Sequence, residues 1–190
     1  MNNKNKWIIA LLLVGVVGLT VVEGYLKPQL RAQEEQYKAD QQNPLTHDFQ
    51  SVLRYQSKYM GDASNLINLN HHLPLSAIPK TFQLYPEEYK AELIYQRDAA
   101  SVDDVLLKQA LLYNATANFV LIENLERYQV RFPDVSYTFS RTAIEQWYGG
   151  NLQRLLEKKQ WDQEVRDRLA EESYVKTFFK QVASAEKSSE

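Results

Sequence analysis

Residues 101–125 read SVDDVLLKQALLYNATANFVLIENL, and this stretch decides the fold. Wound as a helix, Val105 to Ile122 is apolar almost all round, through Leu106, Leu107, Leu111, Leu112, Ala115, Ala117, Phe119, Val120 and Leu121. Such a helix lies inside a domain or inside a membrane. Lys108, Gln109, Asn114 and Asn118 interrupt the run and each is costly in lipid, so the pattern predicts a buried central helix. Ser101 with Asp104 three residues later predicts its start, an Asp variant of the capping box.

The flanks alternate with period two. Phe82 and Leu84 alternate with Thr81, Gln83 and Tyr85, and after Pro86-Glu87-Glu88 the residues Tyr89, Ala91, Leu93 and Tyr95 form a second oily row. Beyond the helix, Tyr128, Val130 and Phe132 alternate, Pro133-Asp134 turns the chain, and Tyr137 and Phe139 alternate again. Two hairpins around one oily helix predict an α+β fold, a small antiparallel sheet of two hairpins backed by helices, with the strand order left open. Ser140 is expected to cap a helix through Ile144 and Trp147 that Gly149-Gly150 stops. Upstream, Thr46 is the expected cap of a short helix carrying Phe49, Val52 and Leu53 to about Tyr59. Asp62 or Ser64 caps the next helical stretch, which ends at Pro74.

The two ends carry different chemistry. Trp7 to Val22 (WIIALLLVGVVGLTVV) has no charge, and extended to Leu26 it makes a segment of about 20 residues, roughly 30 Å of helix and one bilayer core. The expected architecture thus begins with an N-terminal transmembrane helix at 7–26, after a cytoplasmic N-terminus at 1–6. Lys4 and Lys6 before the run and Glu23 after it orient it with the rest outside. A cleaved signal peptide is the alternative. Thr20-Val21-Val22 is no small-x-small site and Val22-Glu23-Gly24 a weak one, so the sequence favours an uncleaved single-pass anchor. Residues 27–43 hold three basic and three acidic groups among polar helix formers and read as a polar stalk. The folded domain is expected over 44–150. In 151–190, eight basic and eight acidic groups accompany Trp161, Val165, Leu169, Val175, Phe178, Phe179 and Val182, which share one side of a helical wheel. An amphipathic helix is expected there, docking on the domain or on a partner, before a disordered AEKSSE end.

Composition excludes several classes of function. The 190 residues hold 22 basic and 24 acidic groups, a net of -2, which argues against nucleic-acid binding. Without cysteine there is no disulfide, thiolate metal site or lipoprotein anchor. No G-x-S-x-G, H-E-x-x-H or phosphate-cradling glycine loop occurs.

Tyr59-Met60-Gly61-Asp62, Asn65, Leu73-Pro74, the run Asn114 to Leu125 and Trp147-Tyr148-Gly149 together resemble the DUF4825 family over roughly residues 46–152. That resemblance implies an uncharacterised extracytoplasmic domain of Gram-positive bacteria, often membrane-tethered and in some members beside a BlaR1-type metallopeptidase. It implies no catalytic residue.

The residues themselves carry little chemistry. His71 and His72 are neighbours that cannot share one face, and with His47 they read as adventitious or surface histidines, so no metal and no cofactor is expected. The acid pairs Glu34-Glu35, Glu87-Glu88, Asp103-Asp104 and Glu171-Glu172 read as solvated charges. Nine of the twelve tyrosines fall in the domain and suit half-buried sheet faces or a binding surface. The candidate binding surface is Tyr59, Gly61, Asp62 and Asn65: Gly61 admits close backbone approach and the other three supply a ring and polar groups. The expected function is a non-catalytic domain, held at the membrane outside the cell, that binds a protein partner or envelope component. The alternative is a small-ligand sensor or accessory unit of a peptidase-type envelope signalling system. An envelope hydrolase is the remaining class.

Overall fold

The computed structural model describes residues 22–187, with Lys4, Trp7, Leu11, Gly15 and residues 18–20 before them. Contacts divide the chain into two units, Met1–Ala39 and Asp40–Glu190. In the first, one π turn over Val22–Leu26 leads into helix α1, Lys27–Gln42, whose residues up to Ala39 are exposed. Nine of the twenty residues of the expected anchor, 7–26, lie outside the described residues. Among the described residues no helix is long and apolar enough to cross a membrane, which corrects the N-terminal transmembrane helix of the expected architecture.

The second unit opens with a 3-10 turn, Phe49–Tyr55, where the Asp48 carboxylate accepts from the Gln50 amide (3.0 Å). Asp48 takes the capping role expected of Thr46, whose hydroxyl instead donates to the Asp40 carbonyl (2.8 Å). Asp62 caps helix α2, Ala63–His72, by accepting from the Asn65 amide (3.0 Å). Strands β1, Lys80–Tyr85, and β2, Lys90–Tyr95, follow. The central helix α3 runs Asp104–Leu121. Its cap is Asp103, accepting from Leu106 N (2.9 Å), because Ser101 already closes a 3-10 turn and donates to the Asp98 carbonyl (2.7 Å). Strands β3, Arg127–Arg131, and β4, Val135–Ser140, then lead into helix α4, Arg141–Trp147. Gly149 and Gly150 end α4 with φ of 77° and 116°, a conformation that only glycine adopts without strain.

The sheet has five strands in the order β1-β2-β3-β4-β5, where β5 is Ser184–Lys187. This corrects the expected sheet of two antiparallel hairpins. β1/β2, β3/β4 and β4/β5 are antiparallel, but β2 and β3 pair in parallel, Leu93 opposite Val130. The parallel junction is possible because α3 carries the chain back across the sheet between them. β5 falls where a disordered end was expected. Its four residues are all exposed, so only backbone pairing to β4 defines it, and no hydrophobic alternation marks it in the sequence.

The C-terminal segment is not one amphipathic helix either. It forms a 3-10 turn at Leu152–Leu156 and helix α5, Lys158–Trp161, extended by a π turn and a 3-10 turn to Ala170. Helix α6, Glu172–Gln181, follows. The apolar positions are nonetheless buried. Trp161 stacks flat on Phe49 (3.5 Å between ring centroids) and edge-on to Tyr113 (4.9 Å). Phe178 lies against Phe139 and Trp147 at 6.2 and 5.4 Å. The chain after Gly150 therefore completes the core of the second unit.

The centre of that core is α3, buried from Gln109 to Leu121 without a break. Its polar side chains reach other segments. Gln109 donates to the Leu169 carbonyl (2.8 Å) and Asn114 to the Pro74 carbonyl (2.8 Å). Asn118 and Asn70 exchange amide hydrogen bonds (2.9 and 3.1 Å), and the Tyr128 hydroxyl donates to Asn70 Oδ1 (2.8 Å). Both amides are also bonded to helix carbonyls, Leu66 and Asn114, so this buried cluster is satisfied.

Two outcomes follow. Asn118→Leu removes two of the four hydrogen bonds of the buried Asn70 amide, leaving it the Leu66 carbonyl and the Tyr128 hydroxyl, and is expected to cost about 2–3 kcal/mol in urea unfolding. A double-mutant cycle with Asn70→Leu should give a coupling energy of about 1–2 kcal/mol. Deleting residues 151–190 uncovers Phe49, Tyr113 and Phe139 and is expected to make the protein aggregate. Trp161→Ala in the full chain should cost about 3–5 kcal/mol.

Candidate ligand pocket

β1 starts at Lys80, and the register sets Lys80 opposite Tyr95 on the face that turns toward the helices. The turn before it, Pro74 to Pro79, places Leu75 in the left-handed region (φ 65°), a conformation that costs a non-glycine residue about 1–2 kcal/mol. That turn aims two carbonyls at the lysine. The Lys80 ammonium donates to the Ser76 carbonyl at 3.0 Å and the Leu75 carbonyl at 3.4 Å, and it sits 5.5 Å from the centre of the Tyr95 ring.

Around this ammonium α2 and the β1–β2 hairpin leave a cavity of about 250 Å³. Ile67, Asn70 and His71 line it from α2, and Lys80, Thr81, Phe82 and Leu93 from the strands. Asn70 belongs to the satisfied cluster described above, so the cavity borders a rigid polar group with no free hydrogen-bonding capacity. Burial pushes the Lys80 ammonium down to about 8. Burial also lowers His71, with the positive charges of Lys80 and His72 adding to it, so His71 is held toward its neutral form. Among the described residues no carboxylate pairs with Lys80. The result is one half-buried, uncompensated cation against apolar walls.

A larger hollow, about 550 Å³, is lined by Trp147, Tyr148, Glu164, Arg168 and Tyr174, but it is open to solvent and its groups bond one another. Trp147 Nε1 donates to the Tyr174 hydroxyl (2.8 Å), the Arg168 guanidinium lies 4.8 Å over the Tyr174 ring, and Glu164 pairs with Arg154.

The four residues singled out from sequence sit elsewhere, before and within the first turns of α2. Tyr59 is exposed. Asp62 is engaged as the α2 cap, and the Asn65 side chain donates to the Tyr55 carbonyl (2.7 Å), tying α2 to the preceding turn. A Cβ built on Gly61 meets nothing within 4 Å, so the space beside it is open. His47, read as a surface or adventitious residue, is buried. Its ring bridges the Tyr113 hydroxyl (2.8 Å) and the His72 carbonyl (2.7 Å), and burial lowers its pKa. Among the described residues no group of three or more His, Asp or Glu is arranged to hold a metal ion. Of the domain tyrosines, Tyr95, Tyr113, Tyr128 and Tyr148 are core residues, and burial raises each hydroxyl well above its ordinary range.

Lys80 escaped the sequence reading because nothing local marks it. It is one of many lysines, and only the pairing of β1 with β2 under α2 encloses it. The one available signal was indirect: Asn70, Asn114 and Asn118 are polar residues set among apolar helical positions, and they mark where α2 meets α3.

A family model described as a domain of unknown function, DUF4825, matches residues 52–142, which include the whole of this pocket. No curated protein and no solved structure matches the chain.

The lysine has a consequence for stability. Its pKa lies near 8 in the fold against 10.5 for the unperturbed group, so between those values the unfolded chain holds the proton and the native one does not. Wild-type stability relative to Lys80→Met should therefore rise as pH climbs through that window, by about 1–2 kcal/mol once solvent access is discounted. Chemical denaturation of both proteins across the window measures it.

Proposed function

Residues 52–142 being a DUF4825 domain, we propose that this protein is a non-catalytic binding module that works outside the cytoplasm at the cell membrane. The observation that carries the binding reading is the uncompensated Lys80 ammonium in a cavity of about 250 Å³. A cation held in such a place costs stability, and an occupant of opposite charge recovers that cost. The groups beside it support binding over turnover: Lys80 is tied to two carbonyls, Asn70 is saturated, and no carboxylate or hydroxyl nucleophile is paired with a base there. The cavity favours the small-ligand form of this reading over docking of a protein partner alone. A membrane location is supported by the sequence, through the uncharged run from Trp7 to Val22 and the lysines ahead of it.

Two measurements test the proposal. Protease added to intact protoplasts should digest the folded unit, whereas survival there with digestion only after lysis would place it in the cytosol and end the location. Cell-wall fragments incubated with the full chain should come back unchanged, whereas turnover lost in a single point variant would replace the binding module with an enzyme.

A further inference from the structure

We propose that the cavity between α2 and the β1–β2 hairpin binds a small monocarboxylate with an apolar tail, its carboxylate on Lys80 and its tail against Ile67, Phe82 and Leu93. This rests on the binding-module reading and gives it a ligand class. The ammonium has three donors and the Ser76 and Leu75 carbonyls take two, which leaves one for an anion. One cation with one free donor matches a single carboxylate. A phosphate group, which calls for several donors or an arginine fork, finds neither an arginine nor a second lysine in the lining. The three apolar side chains opposite exclude an inorganic ion as the natural occupant, since they would stay exposed to water around it. Size sets the other bound: about 250 Å³ is below the common range for drug-sized ligands, so the occupant is of amino-acid size or smaller. The strained Leu75 turn and the saturated Asn70 cluster hold both sides of the cavity in place before anything enters.

Protonation links to binding with a defined sign. The groups facing Lys80 are His71 from α2 and Tyr95 from β2. The first is held toward neutrality and the second stays a phenol because burial raises it, so over mildly alkaline pH Lys80 alone titrates in the cavity. A carboxylate selects the ammonium, hence affinity should fall as pH rises through about 8.

The experiment is titration of the full chain with isovalerate, its neutral amide isovaleramide, the amine isopentylamine and inorganic phosphate, followed by calorimetry and by shifts of the Ile67 and Leu93 methyl resonances. Isovalerate should bind, and the amide, the amine and phosphate should each be weaker by about tenfold or more, the worth of one charge-assisted hydrogen bond. Lys80→Met, which removes a half-buried charge and should fold, is expected to lose isovalerate binding. Ile67→Trp, which fills the cavity and leaves Lys80 in place, is expected to lose it too. Equal binding of phosphate and isovalerate, or isovalerate binding unaffected by both variants, overturns the proposal. If isovalerate fails while an envelope partner is still captured by wild type and Lys80→Met alike, the ligand class falls and the binding-module reading survives.

Discussion

A helix with no solvent face must find a partner for every polar side chain it carries, and that constraint organises this protein. From Gln109 to Leu121 α3 is buried on all sides, and Gln109, Asn114 and Asn118 each reach a different part of the chain: the C-terminal segment at Leu169, the turn at Pro74, and α2 at Asn70. Unpaired, each amide would cost about 1–3 kcal/mol. Three hydrogen bonds thus fix where three distant segments can lie around one rod. The Asn114 side-chain oxygen is buried without a partner, so even this arrangement leaves one acceptor unsatisfied.

The cavity is a by-product of the same constraint. Asn118 holds α2 through Asn70, and Asn114 holds the turn after α2 through the Pro74 carbonyl. With both ends of that passage pinned, the chain must reach β1 in a few residues, and it does so through Leu75 in a left-handed conformation. The carbonyls of that forced turn then face Lys80 at the start of β1. A half-buried lysine without a counter-ion is unfavourable for stability, and it persists here beside a fully hydrogen-bonded Asn70 amide. The pocket and the stability of the fold are in this sense two readings of one set of amide contacts.

The C-terminal segment shows how much a core can depend on chain beyond a recognisable domain. The family match stops at residue 142, yet Trp161, Val165, Leu169 and Phe178 are fully buried and close the core around α3. Their spacing was readable as one oily side of a helix. The breaks were not: between Asp162 and Ala170 the chain takes π and 3-10 turns, with Val165 and Leu169 buried in the core.

From residue pattern alone came the elements that a few neighbouring side chains dictate. These include the buried central helix with its misfit amides, the alternating rows of β1 to β4, the caps at Asp62 and Ser140, and the glycine stop after α4. Each depends on interactions within about one or two turns of chain, so local spacing is enough to reveal it. Pairing β2 with β3 in parallel, adding β5 by backbone bonds alone, burying His47 between Tyr113 and a carbonyl, and enclosing Lys80 were decided only in three dimensions. These depend on which distant segments meet, and a side chain's burial, charge and usefulness are properties of that meeting rather than of the residue or its neighbours in sequence.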